Sequence, residues 1–115
     1  MPAPKGFVNV LTGSQWAGLL NFVKETDSKL TTSFAVSDGV RDKNGVWTPV
    51  EAQKLIDFSE EHGVKISAAE LFNEPTMPLA GGAFSNTEYD ANDYARDIAV
   101  YETWQKKEAP YMLHV

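Results

Sequence analysis

The sequence predicts an α/β protein of partial TIM-barrel type, a segment of a (β/α)8 barrel in the order α-β-α-β-α-β with parallel strands. Three observations carry this expectation. Apolar residues recur at helical spacing in three stretches, and runs of β-branched and apolar residues separate them. The first two of those runs end in turn-forming residues, Asp38-Gly39 and Asn73-Glu74-Pro75. Strands separated by single helices imply parallel pairing through right-handed crossovers.

In chain order, Thr12 and Gln15 have capping-box spacing, and Trp16, Leu19, Leu20 and Val23 follow at i, i+3, i+4 and i+7. This is an amphipathic helix ending near Thr26 to Ser28. Residues Leu30 to Val36 read as the first strand. Thr48 is an N-cap candidate, with Pro49 at the first helical position and Glu51 closing a second capping box. Ala52, Leu55 and Ile56 give that helix its apolar stripe, and Gly63 is its expected left-handed stop. Val64 to Phe72 has few polar interruptions, as suits a strand covered on both faces. A Gly/Pro-rich loop spans Pro75 to Ser85. Asp90 and Asp93 open a third helix with Tyr94, Ile98 and Tyr101 on its apolar face. Pro110 stops it, and Tyr111 to Val115 begins another strand. A full (β/α)8 barrel takes about 250 residues. Residues 1–115 are therefore expected to form a single partial barrel segment, from about the second helix to the fifth strand.

Composition narrows the function. The formal net charge of -6 disfavours a nucleic-acid partner, which needs a basic surface to displace counterions. No apolar run approaches the roughly 18 residues of a membrane span, so no membrane partner is expected. The absence of cysteine excludes disulfides, thiolate catalysis and Cys-based zinc sites. His62 and His114 lack ligand spacing, so neither a metal nor another cofactor is expected. The acidic residues between Glu88 and Glu102 read as a solvated helix face, with a cation site as the other reading.

The chemistry-bearing segment is Ala68-Ala69-Glu70-Leu71-Phe72-Asn73-Glu74-Pro75, which sets Asn-Glu-Pro at the C-terminal end of a parallel strand. In barrels, side chains meet substrate at that end. Glycoside hydrolysis needs one carboxylic acid that protonates the leaving oxygen and later acts as a base. A glutamate beside an asparagine that can hydrogen-bond a sugar hydroxyl suits this need. The other reading is a strand-to-loop turn in which Asn and Pro serve the backbone. Strand alternation puts Glu70, Phe72 and Glu74 on one face, pointing inward. Glu70 lies about 13 Å from Glu74, at about 3.3 Å per residue. A retaining carboxylate pair needs about 5 to 5.5 Å, so Glu70 is too deep to be the nucleophile and reads as a structural carboxylate.

An Asn-Glu-Pro at the end of a fourth barrel strand resembles the clan A glycoside hydrolases. The wider string Glu70-Leu71-Phe72-Asn73-Glu74-Pro75 resembles the heparanase and β-glucuronidase family, glycoside hydrolase family 79, whose members typically carry Gly in place of Phe72. Ser37 to Asp42 and Trp47 to Gly63 also fit the preceding strand end and helix. The resemblance implies retaining hydrolysis of an O-glycosidic bond, with Glu74 as acid/base and Asn73 holding the sugar. It also implies a nucleophilic Glu on the seventh barrel strand and a carbohydrate substrate that can carry a uronic acid.

Arg41 could hold an acidic sugar by a bidentate contact, or make a loop contact with Asp42. Trp47 could stack on a sugar, or pack at the position preceding a helix cap. Phe84 and Tyr89 have the same two readings. The alternative functions are a non-catalytic truncated barrel, or a carbohydrate-binding or self-assembling α/β domain. Open edges of a parallel sheet favour self-association in either case.

Overall fold

A computed structural model describes residues 2–115. Helix α1 (Gly13–Glu25) is followed by strand β1 (Thr31–Ser33), a 3-10 turn (Asp38–Val40) and helix α2 (Val50–Glu61). Strand β2 (Ala68–Glu70), a short helix α3 (Pro78–Gly82), helix α4 (Ala91–Glu108) and strand β3 (Leu113–His114) complete the order. The strands form one parallel sheet in the order β1-β2-β3. Ser33 stands beside Glu70, and Ala68 lies between Thr31 and Leu113. The expected α/β order and parallel pairing are therefore present, and the Gly/Pro-rich loop contributes α3 as an additional helix.

The sheet is wound in one direction, and α1, α2 and α4 pack together over one of its faces. Trp16 of α1 donates its indole N–H to Ser59 of α2 at 2.9 Å. Trp104 of α4 donates to Gln53 of α2 at 2.7 Å. On the sheet side of this layer, Phe34 meets Tyr101 and Trp104 with ring centroids 6.1 and 5.6 Å apart, and Ala69 and Leu71 are buried. The opposite face is open. Thr31, Ser33, Leu113 and Val115 are exposed there, and Glu70 is half-buried. Successive right-handed crossovers between neighbouring strands put the crossover helices on the same side. This is (β/α)8-type winding, in which the uncovered face is the one a closed barrel turns inward.

Helix boundaries follow local chemistry. The capping box of α1 forms as expected: the Thr12 hydroxyl accepts the Gln15 N–H, and the Gln15 side chain accepts the Thr12 N–H. Trp16, Leu20 and Val23 are buried, whereas Leu19 sits at the edge of the stripe and is exposed. The box expected at Thr48 does not form. Helix α2 starts at Val50 with Pro49 as its cap, and the Thr48 hydroxyl donates to the Val40 carbonyl at 2.9 Å. The hydroxyl serves a tertiary acceptor instead of accepting a helix N–H. Asp90 and Asp93 make a capping box on α4, where an aspartate takes the usual role of Glu or Gln. His62 closes α2 with its ring on Phe58 and its Nδ1 2.8 Å from the Phe58 carbonyl, and Gly63 takes the left-handed conformation, φ 82°.

Candidate active site

The C-terminal rim of the sheet is built from three segments: the one preceding α1, the loop after β1, and the loop after β2. Strand β2 stops at Glu70, and the chain then bends, so strict alternation does not continue to Glu74. Glu70 accepts a hydrogen bond from the Ser33 hydroxyl at 2.5 Å on the open face, in keeping with a structural carboxylate. Phe72 does not share that face with Glu70 as expected. It is 5% exposed, packed against Tyr89 at 5.3 Å and beneath Gly82.

Asn73 and Glu74 emerge from this bend, both exposed. Glu74 is in the left-handed region at φ 51°, an unusual conformation for a residue with a side chain. Its carbonyl accepts the Met77 N–H at 2.9 Å, and Met77 in turn accepts the Gly81 N–H at 2.8 Å. The loop thus folds back on its own start. Asn73 lines a cleft of about 490 Å³ together with Phe7, Ser33, Ala35 and Gly81. A neighbouring cleft of about 600 Å³ shares Phe7, Ala35 and Ala83, and adds Lys5 and Asp38. Phe7 is 44% exposed on this rim. Asp38 ties the rim loops together by accepting both the backbone N–H (3.2 Å) and the hydroxyl (2.9 Å) of Ser85.

Two expected ligand contacts go elsewhere. Trp47 is 1% exposed, donates its indole N–H to the Ala35 carbonyl at 2.9 Å and meets Tyr101 and Trp104. Buried among these partners, the ring offers no open face to a sugar. Arg41 is also withdrawn. Its side chain is 3% exposed, and Nη1 contacts Asp97 at 2.6 Å and the Gly45 carbonyl at 3.0 Å. Its Nε donates to the Val36 carbonyl at 2.9 Å, and its guanidinium lies 3.8 Å from the centre of the Phe84 ring. Asp42, the loop partner considered for it, instead accepts the N–H groups of Asn44 and Val46 in its own turn. Phe84 and Tyr89 are buried over Arg41, which makes them packing residues.

The residue missed from sequence is Asp97. It is fully buried and accepts from Arg41, from the Tyr89 hydroxyl at 2.6 Å, from the Trp47 N–H at 3.1 Å and from Arg96. Burial pushes its carboxyl up, but the hydrogen bonds from Tyr89, Arg41 and Trp47 more than offset this and hold it below the usual range. The Tyr89 hydroxyl is pushed well above its ordinary value by burial and by the bond to Asp97. The signal was present in the sequence: residue 97 falls between Tyr94 and Tyr101 on the apolar stripe of α4, where a charge requires a buried partner. Asp97 and Arg41 fasten the loops after β1 and β2 to α4, with the Arg41 guanidinium 5.9 Å from the centre of the ring of Phe72, the residue before Asn73. Among the described residues, no group of three His, Cys, Asp or Glu side chains is arranged to hold a metal. No helix among them is long and apolar enough to cross a membrane.

A parallel sheet wound in one direction, with Asn73 and Glu74 exposed at its C-terminal rim, is consistent with a segment of a (β/α)8-type barrel. The pattern that defines glycosyl hydrolase family 79, N-terminal domain, matches residues 5–109, and the chain belongs to that family. No curated protein matches it.

Proposed function

We propose that this chain supplies the acid/base side of a retaining O-glycosidase. Glu74 protonates the leaving oxygen and then activates water, and Asn73 orients the sugar. The observation that carries this reading is the exposed Glu74 beside the Asn73-lined cleft, at the strand ends of a sheet from a glycoside hydrolase family. The substrate is a carbohydrate. If it is acidic, its carboxylate is not met by Arg41, which Asp97 neutralises. Lys5, in the adjoining cleft, is an exposed cation on the same rim.

A retaining reaction needs a second carboxylate about 5 to 5.5 Å from the first. Glu70 is held by Ser33 on the open sheet face, and Asp38 is engaged with Ser85. We therefore assign the chain to a closed barrel in which another strand brings the nucleophile. The 115 residues alone should hydrolyse neither natural nor aryl glycosides. In the barrel, Glu74→Ala should lower turnover of unactivated glycosides by about 10²- to 10⁴-fold. An aryl glycoside needs little acid assistance, so there the loss falls on deglycosylation. Azide should restore turnover by attacking the anomeric carbon of the glycosyl intermediate and displacing the nucleophile carboxylate, with no base required. Robust hydrolysis by the 115-residue chain, or wild-type turnover by Glu74→Ala, would show the assignment to be wrong.

A further inference from the structure

Helix α3 sits directly on the backbone of the Asn-Glu-Pro segment, and only glycine permits that approach. A Cβ on Gly81 would overlap the carbonyl oxygen of Asn73 and lie 2.9 Å from that of Glu74. Both obstacles are backbone atoms, which cannot swing aside. A Cβ on Gly82 would lie 2.5 Å from Cγ2 of Val36 and 2.8 Å from Cε1 of Phe72, the side chain that precedes Asn73. The segment being pressed is itself unusual, since Glu74 holds φ 51°. A left-handed conformation in a residue with a Cβ persists only where the surroundings over-determine it. Those surroundings are the Met77 N–H on the Glu74 carbonyl, the Gly81 N–H on the Met77 carbonyl, and the glycine face of α3. Ala83 then ends α3 in a left-handed turn, and Gly6 approaches it closely, at 3.2 Å from a Cβ added at Gly6 to that of Ala83.

From this geometry we infer that Gly81 and Gly82 are positioning residues for the glycosidase reaction. They form a close-packed seat that fixes the left-handed backbone of Glu74 and so sets where its carboxyl stands relative to the sugar. This inference rests on the acid/base reading of Glu74. A Cβ at either glycine lifts α3 from the seat, and the carboxyl moves with the backbone. Misplacing a reacting group by about 1 Å can cost about 100-fold in rate.

The test compares Gly81→Ala, Gly82→Ala and Glu74→Ala, with Gly18→Ala as a control because a Cβ there meets nothing within 4 Å. In the 115-residue chain, Gly81→Ala should shift the backbone amide resonances of Asn73 and Glu74, and Gly18→Ala should leave them in place. In the assembled barrel with an aryl glycoside, Gly81→Ala should lower kcat about 100-fold and lower KM with it, because slowed deglycosylation lets the glycosyl intermediate accumulate. Azide should restore its turnover as it does for Glu74→Ala, because a misplaced base and a missing base fail at the same step. A merely destabilised enzyme loses active molecules and gains nothing from azide. If Gly81→Ala does not fold, Gly82→Ala decides by the same readouts, since its added Cβ presses on the buried Val36 and Phe72 side chains rather than on the Asn73 backbone. A folded variant with wild-type kcat, or one whose loss azide does not repair while Glu74→Ala is repaired, overturns the positioning role. Wild-type turnover by Glu74→Ala overturns the acid/base reading and the positioning role with it, and the amide shifts still report whether the seat exists.

Discussion

Asp97→Ala should be among the most damaging single substitutions in the chain. It would leave the Arg41 guanidinium, 3% exposed, without its counterion, and would strip the Tyr89 hydroxyl and the Trp47 N–H of their acceptor. Removing one member of a buried ion pair costs about 3 to 5 kcal/mol, because the surviving charge stays desolvated. Taking about 4 kcal/mol, and an unfolding entropy of about 2.1 cal/mol/K per residue over the 115 residues, the midpoint should fall by about 17 °C. Urea or thermal unfolding followed by tryptophan fluorescence measures this, since Trp16, Trp47 and Trp104 are all buried. Acidification supplies an independent check. The folded carboxyl lies below its ordinary value, so its stabilisation is complete above the unfolded value of about 3.9 and is lost as pH falls through the folded one. The gap between wild type and Asp97→Ala should therefore hold from about pH 7 to about pH 4 and narrow below that. Pairing Asp97→Ala with Arg41→Met should cost less than the two changes summed, by about 2 kcal/mol, because no charge is then stranded. A folded Asp97→Ala protein within about 1 kcal/mol of wild type, or strict additivity in the double variant, would refute the reasoning.

Thr12→Ala should cost about 1 kcal/mol through its lost cap. Thr48→Ala should act through the Val40 contact instead, loosening the loop after β1 without shortening α2 by circular dichroism. Trp47→Ala should cost about 3 to 5 kcal/mol as a core truncation. If Trp47→Phe folds, its affinity for sugar should be unchanged in a titration. In alkali, Tyr101 is pushed up to about 12 by burial, and Tyr89 and Tyr111 are raised further. Their neutral forms support the fold fully below the unfolded value of about 10 and cease to do so as pH climbs through the folded values. The melting temperature should accordingly drop as pH rises from about 10 to about 12. The open face bearing Leu113 and Val115, 68% and 66% exposed, should make the 115-residue chain self-associate. A concentration-independent monomer in sedimentation would contradict that.

Local chemistry settled what could be read from sequence. The cap pair at Thr12 and Gln15, the stop at Gly63, the alternation of apolar runs and the Asn-Glu-Pro at a strand end each depend on residues a few positions apart. From these followed the α/β order, the parallel pairing and the family. Partner choice across the chain could not follow from them. Thr48 passed over its own helix for the Val40 carbonyl, and Arg41 reached Asp97, 56 positions away, rather than Asp42 beside it. Trp47 became core because α4 arrived to cover it. An arginine or tryptophan at a strand end reads alike whether it faces a sugar or a neighbouring helix, since the difference lies in what packs against it. The seat of Glu74 is of the same kind. Sequence presents Gly81 and Gly82 as loop glycines, and only the fold brings α3 down onto the Asn73 carbonyl, where a single added carbon has no room.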